Sequence, residues 1–261
     1  MNEQSTSEEL KSLLAYFYQW EKERAHEIYL RQPFGDSFRD FTWEEVGNQA
    51  RRLASYLHSL GLPPQSNIGL VSKNCAEWII ADLAILMAGH VSAPFYPTLT
   101  DAQIHQVLSH SGCPVLFVGK LDNWPGMKGG IEEHIRCISF PTYNPDPEHV
   151  QWNDIMRDYE QLQGDYLPDF ADLFSVIYTS GTTGAPKGVM INFTNVAEAI
   201  HNTRDILLHH LPNPRFFSYL PLCHIAERNL VEATSIVVGG VVYFAESLDT
   251  FAKNLAAANL D

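Results

Sequence analysis

The chain has 261 residues, of which 45% are hydrophobic and 18% are charged. This composition is typical of a globular protein and excludes wholesale disorder, and the length allows one large domain or two smaller ones. Acidic residues number 31 against 17 basic ones, and the net charge of −14 argues against nucleic acid as a partner. Residues 1–11 do not resemble a secretory signal, and no apolar run reaches the roughly 20 residues of a membrane-spanning helix. Peripheral contact with a membrane is left open, as is the oligomeric state.

Capping signals in the N-terminal half predict three helices, because a hydroxyl or amide side chain followed three residues later by Glu or Gln satisfies the free N–H groups of a first turn. The predicted starts are Thr42 with Glu45, Asn74 with Glu77 and Thr100 with Gln103, and the predicted stops are Gly61, Gly89 and Gly112. Apolar runs at 67–71, 91–96 and 114–118 predict buried strands, and 152–162 predicts a surface helix.

This alternation predicts an α/β fold with parallel sheets flanked by helices. The stretch 164–172 is interpreted as a linker between two units. We therefore predict an N-terminal extension with a helix over 1–40, a first α/β subdomain over 41–168, and the start of a second α/β subdomain over 169–261.

The cysteines are widely spaced, with no CxxC pair and no zinc-ligand spacing. They are Cys75, Cys113, Cys137 and Cys223. We expect reduced thiols packed as small hydrophobes, which is typical of a cytoplasmic protein.

Residues 179–188 contain four hydroxyl side chains, three glycines and one lysine, directly after a predicted strand at 174–178. Glycines let backbone N–H groups converge on an anion, hydroxyls add donors, and Lys187 supplies a positive charge, so the run predicts a site for a nucleotide triphosphate. A Walker-type loop is the alternative, but Pro186 precedes the lysine and the next predicted helix begins only near Asn195. A generic Ser/Thr/Gly turn would not need a lysine held between proline and glycine.

Residues 178–189, YTSGTTGAPKGV, resemble the signature phosphate loop of the adenylate-forming (AMP-binding) superfamily, and 41–61 and 83–97 resemble two further segments of it. The resemblance implies the N-terminal portion of the acetyl-CoA synthetase-like fold. It further implies that ATP is bound by the loop and that Thr179 is the Mg²⁺ ligand. The implied nucleotide-binding residues are Thr179, Ser180, Gly181, Thr182, Thr183, Gly184 and Lys187.

A second motif, residues 221–228, follows a predicted strand at 216–220 and contains His224, Glu227 and Arg228. It resembles the LPLxHxxER stretch of the long-chain branch of the superfamily. The resemblance implies that His224 lies near the acyl carboxylate and, with Lys187, acts in catalysis. Glu227 has a ready neighbour in Arg228, and both are expected to have a structural or gating role.

The resemblance implies ATP-dependent activation of a long-chain fatty acid to an acyl-adenylate and then to acyl-CoA, with ATP, Mg²⁺ and coenzyme A taking part. A non-catalytic module that binds nucleotide or acyl groups, and an acyl-AMP ligase that serves a carrier protein, are the alternatives. The downstream motifs YGxTE and YRTGD of the superfamily are missing from the sequence. We therefore expect the N-terminal part of a longer enzyme, inactive by itself.

Overall fold

A computed structural model describes residues 11–143, 146–180, 186–207 and 213–259. The helices are α1 Leu13–Glu23, α2 Trp43–Ser59, α3 Ala76–Met87, α4 Asp101–Ser111, α5 Trp152–Asp158, α6 Phe193–Leu207, α7 Ile225–Glu227, α8 Thr234–Val238 and α9 Phe251–Ala258, with a 3₁₀ turn at Lys128–Gly130 and a π-helix at Arg228–Ala233. The strands are β1 Ile28–Phe34, β2 Ser37–Thr42, β3 Asn67–Val71, β4 Val91–Phe95, β5 Val115–Val118, β6 Arg136–Ser139, β7 Val150–Gln151, β8 Leu173–Ser180, β9 Pro186–Asn192, β10 Arg215–Ser218 and β11 Val241–Phe244.

The strands form two sheets. One has seven strands in the order β7-β6-β5-β3-β4-β8-β9, and the other has four in the order β10-β11-β1-β2. Neighbouring strands are parallel except β8 with β9 and β1 with β2, which are antiparallel. The predicted α/β class is confirmed, with mixed rather than purely parallel sheets.

Helix α3 is buried along its whole length and contacts strands of both sheets. A helix that is apolar on all sides needs such surroundings, because no face of it can be turned to water. Beside it, Tyr29 of β1 stacks on Trp43 of α2 with ring centroids 3.8 Å apart. Helix α3 therefore joins the two sheets through one continuous core.

The local signals had different outcomes. The capping boxes at Thr42 and Thr100 are both present, and β3 has the predicted limits. The prediction for Asn74 is wrong, because α3 begins after Cys75 with no side-chain cap. The amide of Asn74 instead donates to Ser218 Oγ at 2.8 Å and to the Leu220 carbonyl at 2.6 Å. These long-range partners accept hydrogen bonds from the buried amide nitrogen of Asn74. As a helix cap, the side chain would use only its oxygen and leave that nitrogen unpaired.

Sheet membership crosses the predicted domain limits. Strands β1 and β2 lie mostly within 1–40, yet β1 pairs with β11. Strand β8 lies beyond residue 168, yet it pairs with β4 through Ser92 and Ser175. The division into 1–40, 41–168 and 169–261 stays a prediction about folding units.

All four cysteines are buried and unpaired, as the sequence predicted. Burial raises the pKa of the thiols of Cys113, Cys137 and Cys223 to about 12. Within the part of the chain that the structure describes, no helix is both long enough and apolar enough to cross a membrane.

Candidate active site

The strand that leads into the hydroxyl-rich loop pairs with the strand that leaves it. In the β8–β9 hairpin, Thr179 lies opposite Lys187, and Ser180 lies opposite Pro186. Directly opposite residues of an antiparallel pair project from the same face, with Cβ atoms about 4.5–5.5 Å apart. Thr179 and Lys187 are both exposed. The hairpin therefore presents a hydroxyl and an ammonium group side by side at the mouth of the loop.

Four of the predicted nucleotide-binding residues, Gly181, Thr182, Thr183 and Gly184, lie outside the described residues. Ser180 is the last residue of β8.

This hairpin differs from a Walker-type loop, in which the loop runs straight into a helix. Here β9 follows the loop, and α6 begins only at Phe193. The interpretation against a Walker loop is confirmed, although the strand β9 was not predicted. The start of α6 is closed by Asn192 and Asn195, each of whose side chains accepts a hydrogen bond from the other's backbone N–H.

Close contacts hold the base of the hairpin. The Tyr178 hydroxyl pairs with His110 Nδ1 of α4 at 3.1 Å, and the two rings meet edge to face. Across from Tyr178 lies Gly188, where a Cβ atom would stand 2.7 Å from Val176 Cγ1. Glycine is therefore required at this position by close packing.

His224 is exposed and forms the N-cap of α7. Its Nδ1 accepts a hydrogen bond from the Ala226 N–H at 3.2 Å. An accepting Nδ1 carries no proton, so the neutral ring holds its proton on Nε2. The imidazole is thus oriented with Nε2 as a donor for a ligand.

The next two charged residues of the motif are buried. Glu227 Oε1 accepts from Ser218 Oγ and from the Tyr219 N–H, each at 2.9 Å, and burial raises the pKa of this carboxyl. Arg228 is 1% exposed and does not pair with Glu227, so the expectation drawn from their adjacency is wrong. Its guanidinium forms ion pairs with Asp82 of α3 and with Glu232.

Asp82 was not predicted from the sequence to take part in the site. An acidic side chain in a helix that is buried on every side is costly unless it is paired or takes its neutral form. That rule would have flagged Asp82, but it could not have named Arg228, which lies 146 positions further along the chain.

A cleft of about 320 Å³ opens where parallel strands of both sheets end. In open α/β sheets, ligands bind in the crevice outside the carboxyl ends of the strands. The seven-stranded sheet contributes Lys73, Asn74, Pro97, Thr98 and Lys120, and the other side is lined by Ser218, Tyr219, Pro221, Ala245, Glu246, Ser247, Leu248 and Phe251. Lys187 and His224 are not among the lining residues.

The sequence profile described as "AMP-binding enzyme" matches residues 17–260, and the chain belongs to that family. It is 30% identical over 241 residues to fatty acyl-CoA synthetase A of Dictyostelium discoideum, covering 83% of this chain and 35% of the relative. It is 28% identical over 224 residues to long chain acyl-CoA synthetase 5 of Arabidopsis thaliana, covering 78% and 33%. The chain spans about a third of the length of the curated relatives it matches and corresponds to their N-terminal part.

Solved structures show the same fold. The anthranilate CoA ligase AuaEII in complex with anthranoyl-AMP is similar with a TM-score of 0.80 and 20% identity, covering 96% of this chain and 47% of that one. A benzoate CoA ligase from Burkholderia xenovorans LB400 gives a TM-score of 0.80 and 21% identity, covering 94% and 48%. The N-terminal portion of the adenylate-forming fold, expected from the sequence, is therefore confirmed.

Proposed function

We propose that the protein containing this chain activates a long-chain fatty acid with ATP, forming an acyl-adenylate and then acyl-CoA. The placement of Thr179 opposite Lys187 is the observation that carries the proposal. A hydroxyl and an ammonium side by side suit a triphosphate, whose oxygens accept from both.

In the first half-reaction the fatty acid carboxylate attacks the α-phosphorus of ATP and pyrophosphate leaves. Such phosphoryl chemistry depends on positioning and charge neutralisation more than on proton transfer. In the proposal, Lys187 and the hydroxyl groups of the loop hold the β- and γ-phosphates. His224 donates from Nε2 to an oxygen of the acyl carboxylate and orients it. In the second half-reaction the thiol of coenzyme A takes the acyl group and AMP leaves.

The residues of the hairpin are compatible with binding of Mg²⁺ together with ATP. Mg²⁺ prefers hard oxygen ligands and is usually held by one or two protein groups together with substrate phosphates. The exposed hydroxyl of Thr179 is such a ligand, and within the described ranges no cluster of three or more His, Cys, Asp or Glu could hold a metal ion. When bound, Mg²⁺ would neutralise charge on the triphosphate. Thr179 would hold it beside Lys187.

The choice of a long acyl chain rests on three observations. The run 221–228 resembles the long-chain branch, and several curated relatives are named as long-chain acyl-CoA synthetases or ligases. The helical segment after it contains one charged residue, Glu232, between Asn229 and Val238. Glu232 is paired with Arg228, so it is not free to bind the ammonium group of an amino acid.

The test is ATP–pyrophosphate exchange by the full-length enzyme with straight-chain acids from acetate to stearate, together with benzoate, anthranilate and the common amino acids. Each methylene buried in an apolar tunnel contributes about 0.8 kcal/mol, so kcat/KM should rise about fourfold per methylene until the tunnel is full. A flat response to chain length, or an aromatic or amino acid outcompeting palmitate, would contradict the long-chain assignment.

The same assay separates the two alternatives. ATP binding without exchange for any carboxylate would favour a non-catalytic binding module. Exchange followed by transfer to a carrier protein, with no transfer to coenzyme A, would favour an acyl-AMP ligase.

A further inference from the structure

The segment that carries His224 is tied to both sheets by the two residues that close its first turn. Glu227 accepts from Ser218 Oγ and Tyr219 N–H at the carboxyl end of β10, in the four-stranded sheet. Arg228 donates to Ser175 Oγ of β8 at 2.6 Å, in the seven-stranded sheet. The side chains of these two adjacent residues therefore reach different sheets, and the turn that contains them is held in one place.

Arg228 also fixes the segment against helix α3. Its guanidinium pairs with Asp82 of α3, and it lies 4.4 Å from the centroid of the Phe174 ring. The same guanidinium pairs with Glu232, where burial raises the pKa of the carboxyl well above its ordinary value. The Asp82 carboxylate also accepts from Ser92 Oγ on β4. One side chain thus joins α3 and β8 to the helical segment.

A buried ion pair of this kind adds little net stability, because the cost of removing two charges from water offsets their attraction. Its directional hydrogen bonds, however, allow one geometry only. Ser175 lies four residues before Thr179 on β8, a distance of roughly 13 Å along a strand. The contact therefore couples the His224 segment to the strand that leads into the phosphate loop.

We propose that Arg228 is a positioning residue, which holds the His224 segment, residues 224–228, at a fixed position against β8. The His224 imidazole then keeps a fixed place relative to Thr179 and Lys187. The expected effect on catalysis rests on the proposed function, whereas the fixed position of the His224 segment against β8 does not. Loss of this tie should leave substrate binding nearly intact and slow the chemical step.

The first test replaces the ion cluster by apolar residues of similar volume, Asp82→Leu with Arg228→Met and Glu232→Met, in the full-length enzyme. Such replacements of buried ion clusters are often neutral or stabilising, so the Tm should not fall. We expect kcat for ATP–pyrophosphate exchange to fall about 10²-fold, the usual effect of misplacing a group by about 1 Å, while KM for ATP and palmitate changes less than about threefold. An unchanged kcat, or a raised KM with unchanged kcat, would overturn the proposal.

Arg228→Lys is the second variant and covers the case in which the triple variant does not fold. Lysine keeps the charge beside Asp82 but lacks the planar fork that reaches Asp82, Ser175 and Glu232 together. We expect an intermediate kcat at unchanged KM. Arg215→Lys is the matched control, because among the described residues Arg215 donates to the carbonyl groups of Ala258 and Asn259, away from the His224 segment. Equal kcat in the Arg228 and Arg215 variants would refute the role.

A distance measurement tests the geometry without any activity. Met190 on β9 and Leu230 in the π-helix are 69% and 51% exposed, and the native cysteines are all buried. Spin labels on Met190→Cys and Leu230→Cys should give a narrow distance distribution in the otherwise native chain. The triple apolar replacement should give a broader or shifted one at equal Tm. Identical distributions would overturn the positioning role. If the native full-length enzyme were inactive while the triple replacement still broadened the distances, only the proposed function would be refuted.

Discussion

Lys187 is exposed at the mouth of the phosphate loop, opposite Thr179. An exposed lysine contributes little to the core, so Lys187→Ala should leave the fold intact. In the full-length enzyme we expect the adenylation rate to fall about 10²–10³-fold, the usual effect of removing one electrostatic contact to the reacting group. ATP–pyrophosphate exchange with circular dichroism checks both statements.

Lys253→Ala is the matched control for this change. Lys253 is also exposed, but it lies on α9 and pairs with Asp36. Its replacement should leave the exchange rate unchanged. Full activity in the Lys187 variant would remove this residue from the site.

Glu77 gives a pH-dependent prediction. It is 1% exposed, neither of its carboxyl oxygens has a hydrogen-bond partner among the described residues, and burial raises its pKa above the ordinary value of about 4.5. Because the pKa of Glu77 is higher in the folded than in the unfolded state, its contribution to the free energy of unfolding is fully present below about pH 4.5. That contribution is lost as the pH rises through the pKa of the folded state. Glu77→Met removes the buried acid, so its advantage in unfolding free energy should grow from pH 4.5 to pH 8.5.

Urea unfolding at a series of pH values measures this difference. Glu133→Met, at an exposed position, is the control and should show no such trend. A Glu77 variant that loses stability relative to wild type as the pH rises would show that the ionised carboxylate is stabilised in the fold.

At the level of single residues, the sequence predicted what depends on near neighbours. The capping boxes at Thr42 and Thr100 involve partners three residues away and were found correctly. Asn74 has the same local pattern but pairs with residues more than 140 positions away, and Arg228 pairs with Asp82 at a similar separation. Such partners are decided by the tertiary fold, which a single sequence does not show.

Among the secondary-structure elements, the apolar runs at 67–71, 91–96 and 114–118 were found as β3, β4 and β5 with limits that differ by at most one residue, because an apolar run of that length has few alternatives. Strands β6 and β11 are also buried but were not predicted. The exposed edge strand β9 was missed. Val189 and Met190 are 50% and 69% exposed, so β9 lacks the apolar run of a central strand. Strands β1 and β2 were missed for a related reason, since residues 28–42 contain five charged or amide side chains and do not form an apolar run. The structure of the candidate site depends on β9, because that strand places Lys187 opposite Thr179.

For the whole molecule we predict that the 261-residue chain alone forms no appreciable acyl-adenylate. The chain covers about a third of the length of its curated relatives, and YGxTE and YRTGD motifs are missing from its sequence. ATP–pyrophosphate exchange with palmitate should stay far below the 1–10³ s⁻¹ that is roughly typical of enzymes. Exchange within that range would show that the 261-residue chain is sufficient for adenylation.

The pairing of β1 with β11 joins Leu30 to Val242, residues that are more than two hundred positions apart. Contacts between such distant residues form slowly, because the intervening chain must be closed into a loop first. During synthesis at about 5–20 residues per second, β1 would leave the ribosome roughly 10 to 40 s before its parallel partner. Until then the edge of β1 that β11 later covers is unpaired, and a chaperone or a wrong strand can contact it. The four-stranded sheet is therefore completed late in biosynthesis, and the hairpin is exposed to misfolding until then.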